Sequence, residues 1–175
     1  FIWGGDGDDY IDGGDQRDYI DAGDGNDTVL GGKGRDTVDL GDGNDAFRDN
    51  AQGVGTGNDV IDGGVGDDTI TIRGGNDTVT GGTGADVIEI GAGTTFADTA
   101  LKGSTITVTD FEADIDTLIL VALDGGADVS VSSLAEIAAL DGLDNVTVTD
   151  TTEGVTIAYD DGLATVIIAL DGLDL

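Results

Sequence analysis

The residues best placed to do chemistry in this chain are aspartates that return to one column of a nine-residue repeat. From Gly4 the sequence reads GGDGDDYID, GGDQRDYID, AGDGNDTVL, GGKGRDTVD and LGDGNDAFR. After five intervening residues, 49–53, it resumes as VGTGNDVID, GGVGDDTIT, IRGGNDTVT and GGTGADVIE, ending at Glu89. The sixth position is Asp in all nine repeats: Asp9, Asp18, Asp27, Asp36, Asp45, Asp59, Asp68, Asp77 and Asp86. Carboxylates in so regular a column, with backbone carbonyls around them, are oxygen ligands for a hard cation. Surface acids that served only solubility would be scattered.

The other columns describe the frame that must hold these carboxylates. The eighth position is apolar throughout: Ile11, Ile20, Val29, Val38, Phe47, Ile61, Ile70, Val79 and Ile88. The second and fourth are Gly in eight of nine repeats each. Positions one to six therefore read as a turn, and positions seven to nine as a short strand with its middle side chain inward. Two such units close one coil of 18 residues, and successive coils stack as parallel strands about 4.8 Å apart. One edge of the stack then carries Asp9, Asp27, Asp45, Asp68 and Asp86. The other carries Asp18, Asp36, Asp59 and Asp77, with residues 49–53 looped out. Two carboxylates about 4.8 Å apart repel by about 1 kcal/mol in water and by about 3.5 kcal/mol at an effective dielectric of 20. A divalent cation between stacked loops reverses the sign of that term. With oxygen as the sole side-chain donor, Ca²⁺ fits best. Mg²⁺ keeps its waters and a strict octahedron, and Zn²⁺ and Cu²⁺ favour His or Cys.

Composition removes most other chemistry. The 175 residues hold 37 acids against 6 bases, a formal charge of −31, with 32 Gly and no His, Cys, Met or Pro. Phosphate contacts need clustered Lys and Arg, so nucleic acid is not an expected partner, nor is a polybasic membrane anchor. Disulfides, thiolate metal sites and His- or Cys-based catalytic triads have no residues to form them. No apolar run reaches the length of a transmembrane helix, and no basic, apolar leader opens the chain, which starts at Phe1 and reads as a fragment. Acid pairs are too numerous for any one to indicate a glycosidase, and no G-x-S-x-G nucleophile motif occurs. Low aromatic content with high charge ordinarily means disorder. The repeat confines that expectation to the cation-free chain.

GGDGDDYID, GGVGDDTIT and GGTGADVIE resemble the glycine-rich nonapeptide of the RTX (repeats-in-toxin) family, over residues 4–89. The resemblance implies an all-β fold, a parallel β-roll with two nonapeptides per coil and one Ca²⁺ between loops two repeats apart. It also implies the donors: carbonyls of positions two and four with Asp six from one loop, and carbonyls of positions one and three with Asp six from the next. On the first edge these are Gly5, Gly7, Asp9, Ala22, Asp24 and Asp27, followed by Gly23, Gly25, Asp27, Leu40, Asp42 and Asp45. Next come Gly41, Gly43, Asp45, Gly63, Val65 and Asp68, and then Gly64, Gly66, Asp68, Gly81, Thr83 and Asp86. On the second edge they are Gly14, Gln16, Asp18, Gly31, Lys33 and Asp36, followed by Gly32, Gly34, Asp36, Val54, Thr56 and Asp59. Gly55, Gly57, Asp59, Ile72, Gly74 and Asp77 end that edge. About seven ions are expected. Departures are Gln16 for a turn Gly, Arg17 and Arg35 beside an ion row, the 49–53 insertion, and Ile72-Arg73 for a Gly pair.

After Ile90 the nine-residue phase stops. Alternating strands are expected at 104–110, 117–121, 145–149, 155–159 and 164–170. Ser133 and Glu136 form a capping box for a short helix near 133–140. TVTDFEADIDTLIL, residues 107–120, is similar to the segment that opens a β-rich cap after RTX rolls. Asp110, Asp114 and Asp116 are either ligands of one further ion or solvated loop acids beside a core Phe111. The expected division is a roll over 1–93 and a cap over 94–175, the latter able to hold a secretion signal. Trp3, Tyr10 and Tyr19 read as exposed strand aromatics or a contact with an upstream domain sooner than as a ligand platform. The resemblance implies a non-catalytic, calcium-binding module of a bacterial protein exported by type I secretion machinery. Such a module folds outside the cell and is attached to a larger protein that can carry a catalytic domain. The alternative is a calcium-rigidified module that binds glycan, cell surface or ice.

Overall fold

A computed structural model of the chain describes residues 1–49, 57–91, 104–121, 128–142, 146–151, 154–160 and 165–171. The repeats form β1 (Ile2–Asp6), β2 (Tyr10–Asp12), β3 (Tyr19–Asp24), β4 (Thr28–Leu30), β5 (Thr37–Asp42), β6 (Ala46–Arg48), β7 (Val60–Asp62), β8 (Thr69–Ile72), β9 (Thr78–Thr80) and β10 (Val87–Ile90). Beyond them lie β11 (Thr105–Val108), β12 (Thr117–Leu120), β13 (Val129–Val131), α1 (Leu134–Ala139), β14 (Val146–Thr151), β15 (Gly154–Asp160) and β16 (Thr165–Asp171).

Strands alternate between two sheets, as a coil of two nonapeptides requires. One sheet has the order β1-β3-β5-β7-β9-β11-β16-β15-β14, the other β13-β12-β10-β8-β6-β4-β2. Pairing within the roll is parallel and in phase. Ile2 faces Ile20 and Ile20 faces Val38, a step of 18; Val38 faces Ile61, a step of 23; and Ile61 faces Val79, again a step of 18. The five residues inserted between repeats are thus absorbed without a register slip, which would have turned the apolar file outward.

All nine column-eight residues are buried, the most exposed being Ile11 at 6%. Apart from β1, the repeat strands longer than three residues are those that run into an apolar position one. Strands β3 and β5 run on through position three of the next repeat, and Ala22, Leu40, Ile72 and Ile90 add fully buried side chains to the core. The cause is simple alternation: Ile20 points in, Asp21 out and Ala22 in again.

The cap continues both sheets. Val108 of β11 pairs with Val79, and Leu118 of β12 with Ile88, so the apolar files pass into the second half. The described strands and helix of this half match the expected ones to within a residue or two, and β13 is additional. Ser133 Oγ accepts from the Glu136 amide, and Glu136 Oε2 accepts from the Ser133 amide, both at 3.3 Å, so the capping box is present. Ile137 of α1 is buried in the core.

Loop stacking explains the one turn that departs from Gly at position four. A Cβ on Gly25 would lie 2.5 Å from the Gly7 carbonyl oxygen, one coil earlier, whereas a Cβ on Gly7 meets nothing within 4 Å. Gln16 occupies the same first-coil place on the other edge, so its side chain fits, but its backbone is left-handed at φ 92°. That conformation costs a non-Gly residue about 1–2 kcal/mol. Gln16→Gly is expected to stabilise the roll by about 1 kcal/mol in urea unfolding, whereas Gly25→Ala, one coil further in, destabilises it. An unchanged Gln16→Gly midpoint contradicts the strain.

Candidate metal centre

Stacking the coils brings the predicted donors together by loop. On the first edge Gly5, Gly7 and Asp9 lie against Ala22, Gly23, Asp24, Gly25 and Asp27. Leu40, Gly41, Asp42, Gly43 and Asp45 follow, then Gly63, Gly64, Val65, Gly66 and Asp68, then Gly81, Thr83 and Asp86. On the second edge Gly14, Gln16 and Asp18 lie against Gly31, Gly32, Lys33, Gly34 and Asp36, followed by Gly57 and Asp59, and then Ile72, Gly74 and Asp77. Val54, Gly55 and Thr56 lie outside the described residues.

Seven column-six carboxylates, all but Asp9 and Asp18 of the first coil, are fixed through one oxygen. On the first edge Asp27, Asp45, Asp68 and Asp86 each accept, through Oδ1, the amide of the aspartate one coil earlier, at 2.7, 2.7, 2.8 and 2.9 Å. On the second edge Asp36, Asp59 and Asp77 do the same at 2.8 Å. The other oxygen, Oδ2, is buried and has no hydrogen-bond partner in Asp9, Asp18, Asp27, Asp36, Asp45, Asp68, Asp77 and Asp86. It points into the turn: a Cβ on Gly63 would lie 2.7 Å from Oδ2 of Asp68, and one on Gly81 2.5 Å from Oδ2 of Asp86. Position one is Gly there because the carboxylate uses the space. A buried acceptor without a donor costs about 1–3 kcal/mol, so a row of them calls for a counter-charge.

The donor set fits Ca²⁺. Among the described residues no three His, Cys, Asp or Glu side chains cluster closely enough to hold an ion by themselves. Any ion here is therefore shared between aspartate pairs and loop carbonyls. Several of those carbonyls also accept a coil-to-coil amide: Gly14, Gly41 and Gly64 at position two, and Asp24, Lys33, Asp42, Val65 and Thr83 at position three. A carbonyl has two lone pairs, so this use leaves one for a metal.

Two further features carry no signal in the column-six pattern. Column five forms its own ladder in the opposite direction: Asp8, Asn26, Asn44 and Asp67 each accept, through Oδ1, the amide one coil later, at 2.8–3.1 Å. The preference for Asp or Asn in that column was the available clue. Asp49, inside the inserted stretch, is 3% exposed, and no repeat column marks it. At the roll's end Asp110 accepts the Gly81 and Gly82 amides, both at 2.8 Å. Asp116 accepts the Asp86 amide through Oδ1 and the Glu112 amide through Oδ2, at 3.0 and 2.8 Å. These two acids close the last loop, and with Asp114 they form no three-carboxylate cluster.

Burial pushes the carboxyls of Asp59 and Asp68 upward from 3.8 to about 7, and that of Asp77 to about 8. The amide bond from the previous coil pulls them back, and the neighbouring aspartates push them further up. Asp36, Asp45 and Asp86 are raised for the same reasons. A carboxyl raised on folding means that the folded state holds its proton more tightly. The metal-free roll is therefore favoured near pH 4 and loses that contribution as pH rises through 7–8. Metal binding follows the opposite course, because protons compete for the same oxygens. Circular dichroism of the chain stripped of divalent ions is expected to show β structure growing as pH falls from 8 to 5. β content that rises with pH contradicts this electrostatic account.

With this geometry in view, the chain matches the RTX calcium-binding nonapeptide repeat in four copies, at residues 1–20, 12–47, 54–78 and 73–97, together more than half of its length. No curated protein matches it. Among solved structures it is similar to the AlgE6R3 subunit of a mannuronan C5-epimerase from Azotobacter vinelandii. Identity is 22%, the match covers 95% of this chain and 72% of that one, and the TM-score is 0.30. The family match covers the same loops that stack the aspartates, and on it the chain belongs to the RTX calcium-binding nonapeptide repeat family.

Proposed function

We propose that this chain is a non-catalytic module that folds on binding Ca²⁺ outside the cell, as the C-terminal part of a larger protein exported by type I secretion machinery. The observation that carries the reading is the double row of buried, unpartnered aspartate oxygens. In this reading residues 1–93 are the ion-binding roll, 94–175 are its cap, and about seven ions lie between successive loops.

A bound Ca²⁺ supplies two positive charges between a pair of loops. The chain supplies the rest. Column-six aspartates are held by Oδ1 and aim Oδ2 into the turn. Asp27, Asp45 and Asp68 on one edge, and Asp36 and Asp59 on the other, each belong to two neighbouring pairs. Filling one site therefore orders a ligand of the next, and folding propagates along the coils. Where Ca²⁺ is scarce, as in a cytosol, carboxylate repulsion keeps the coils from stacking and leaves an export-competent chain. His and Cys are absent from the sequence, and among the described residues no helix is long and apolar enough to cross a membrane.

A second reading, adhesion on the rigidified roll, is favoured by one observation. Phe1, Trp3, Tyr10 and Tyr19 are exposed on the first coil, and the Phe1 ring stacks on Tyr19 at 4.9 Å.

The primary reading is tested by circular dichroism with Ca²⁺ and with excess EDTA. The expected result is a β spectrum that chelation abolishes, and a β spectrum unchanged by EDTA rejects the proposal. In calorimetric titration Asp27→Ala is expected to lose more than one bound ion, because Asp27 serves two pairs. Undiminished stoichiometry contradicts the ligand assignment.

A further inference from the structure

Asp49 is a buried carboxylate that the repeat pattern does not account for. It follows β6 and stacks between Gly31 and Ile72: the Gly31 amide donates to the Arg48 carbonyl at 3.3 Å, and the Asp49 amide to the Thr71 carbonyl at 2.9 Å. Side chains at this place in the coil point inward. Ile72 and Ile90 there are fully buried, and a Cβ on Gly31 would lie 3.5 Å from Oδ2 of Asp36. A carboxylate in the slot therefore faces the second aspartate row, where Asp77 is 1% exposed and its Oδ2 lacks a partner. Asp49 Oδ2 accepts the Arg73 amide at 3.1 Å, and the adjacent Gly74 amide also favours the charged carboxylate. This is the repeat in which Ile72-Arg73 replaces the Gly pair. The charge of Asp49 also contributes to the raised proton affinity of Asp59 and Asp77.

We propose that Asp49 is a positioning residue for the cation site between the Asp59 and Asp77 loops: its carboxylate holds the Arg73–Gly74 turn in place and adds a negative charge beside the aspartate pair. It acts through the loop and not as a direct ligand, consistent with the absence of a three-carboxylate cluster among the described residues. The inference rests on the calcium reading above. It makes this site unlike the other six: where the insertion interrupts the repeat, Asp49 takes over the shaping of the turn.

The test is a Ca²⁺ titration of the whole chain, followed by calorimetry and by the amide NMR signals of Arg73, Asp77 and Asp45. Asp49→Asn keeps an oxygen that accepts an amide but loses the charge. Asp49→Ile matches Ile72 and Ile90 in the stack and loses both. The expected result is that in Asp49→Asn the Arg73 and Asp77 signals saturate at least tenfold higher in Ca²⁺ while Asp45 responds as in the wild type; Asp49→Ile loses that one ion. If Asp49 is only a counter-ion for the nearby Arg73 guanidinium, Asp49→Asn titrates like the wild type and the proposal falls. Equal weakening at Asp45 and Asp77 also overturns it, since that marks a general loss of stability. A wild-type chain that binds no Ca²⁺ removes the calcium reading itself, an outcome distinct from either.

Discussion

Buried like charge at the spacing of stacked strands is the constraint on which this fold depends. The coil repeat fixes successive column-six aspartates at neighbouring places along each edge, and the amide ladder through Oδ1 prevents them from swinging away. Oδ2 is left buried without a donor in eight aspartates, six of them held by that ladder. Each such atom costs about 1–3 kcal/mol, so a row of them is comparable with the roughly 5–15 kcal/mol that stabilises an ordinary domain. The apolar file between the sheets holds only one or two buried side chains per strand and is poorly suited to carrying that load alone. A fold so built calls for counter-charge in its turns, which the proposed calcium ions would supply.

The two ladders also account for where the roll stops. Column six ties every interior loop to both neighbours, and on the first edge column five adds a second ladder in the opposite direction. On the first edge the row ends at Asp116, whose two oxygens are both taken by amides. On the second edge the strand after β9 places Ile106, fully buried, where the next aspartate would stand. One edge ends by satisfying the carboxylate and the other by replacing it with hydrocarbon. The apolar files then pass into β11 and β12 without a break, so the cap shields strand edges that would otherwise be open to pairing with other chains.

The repeat half was legible because its physics is periodic. The column-eight file, the two aspartate edges and the 23-residue step across the insertion all follow from spacing alone. What was not legible depends on exceptions and on long-range pairing. Ala22, Leu40 and Ile72 fill a column that holds Gly in five of the nine repeats, and their burial follows from strand alternation continuing past the turn. Asp49 reads as part of an insertion, yet it sits in the stack as a position-one residue. In the cap the strands themselves were predictable from alternation, but the parallel pairing of β11 with β16 was not, because nothing local in either strand specifies the other.

The central claim is that cations lie along the two rows of orphaned aspartate oxygens. Anomalous X-ray diffraction from crystals grown in Ca²⁺ locates such ions directly. The account predicts two lines of peaks inside the turns, each peak between consecutive aspartates such as Asp27 and Asp45, or Asp18 and Asp36. Turns without peaks, or peaks confined to the outer acids, would contradict it.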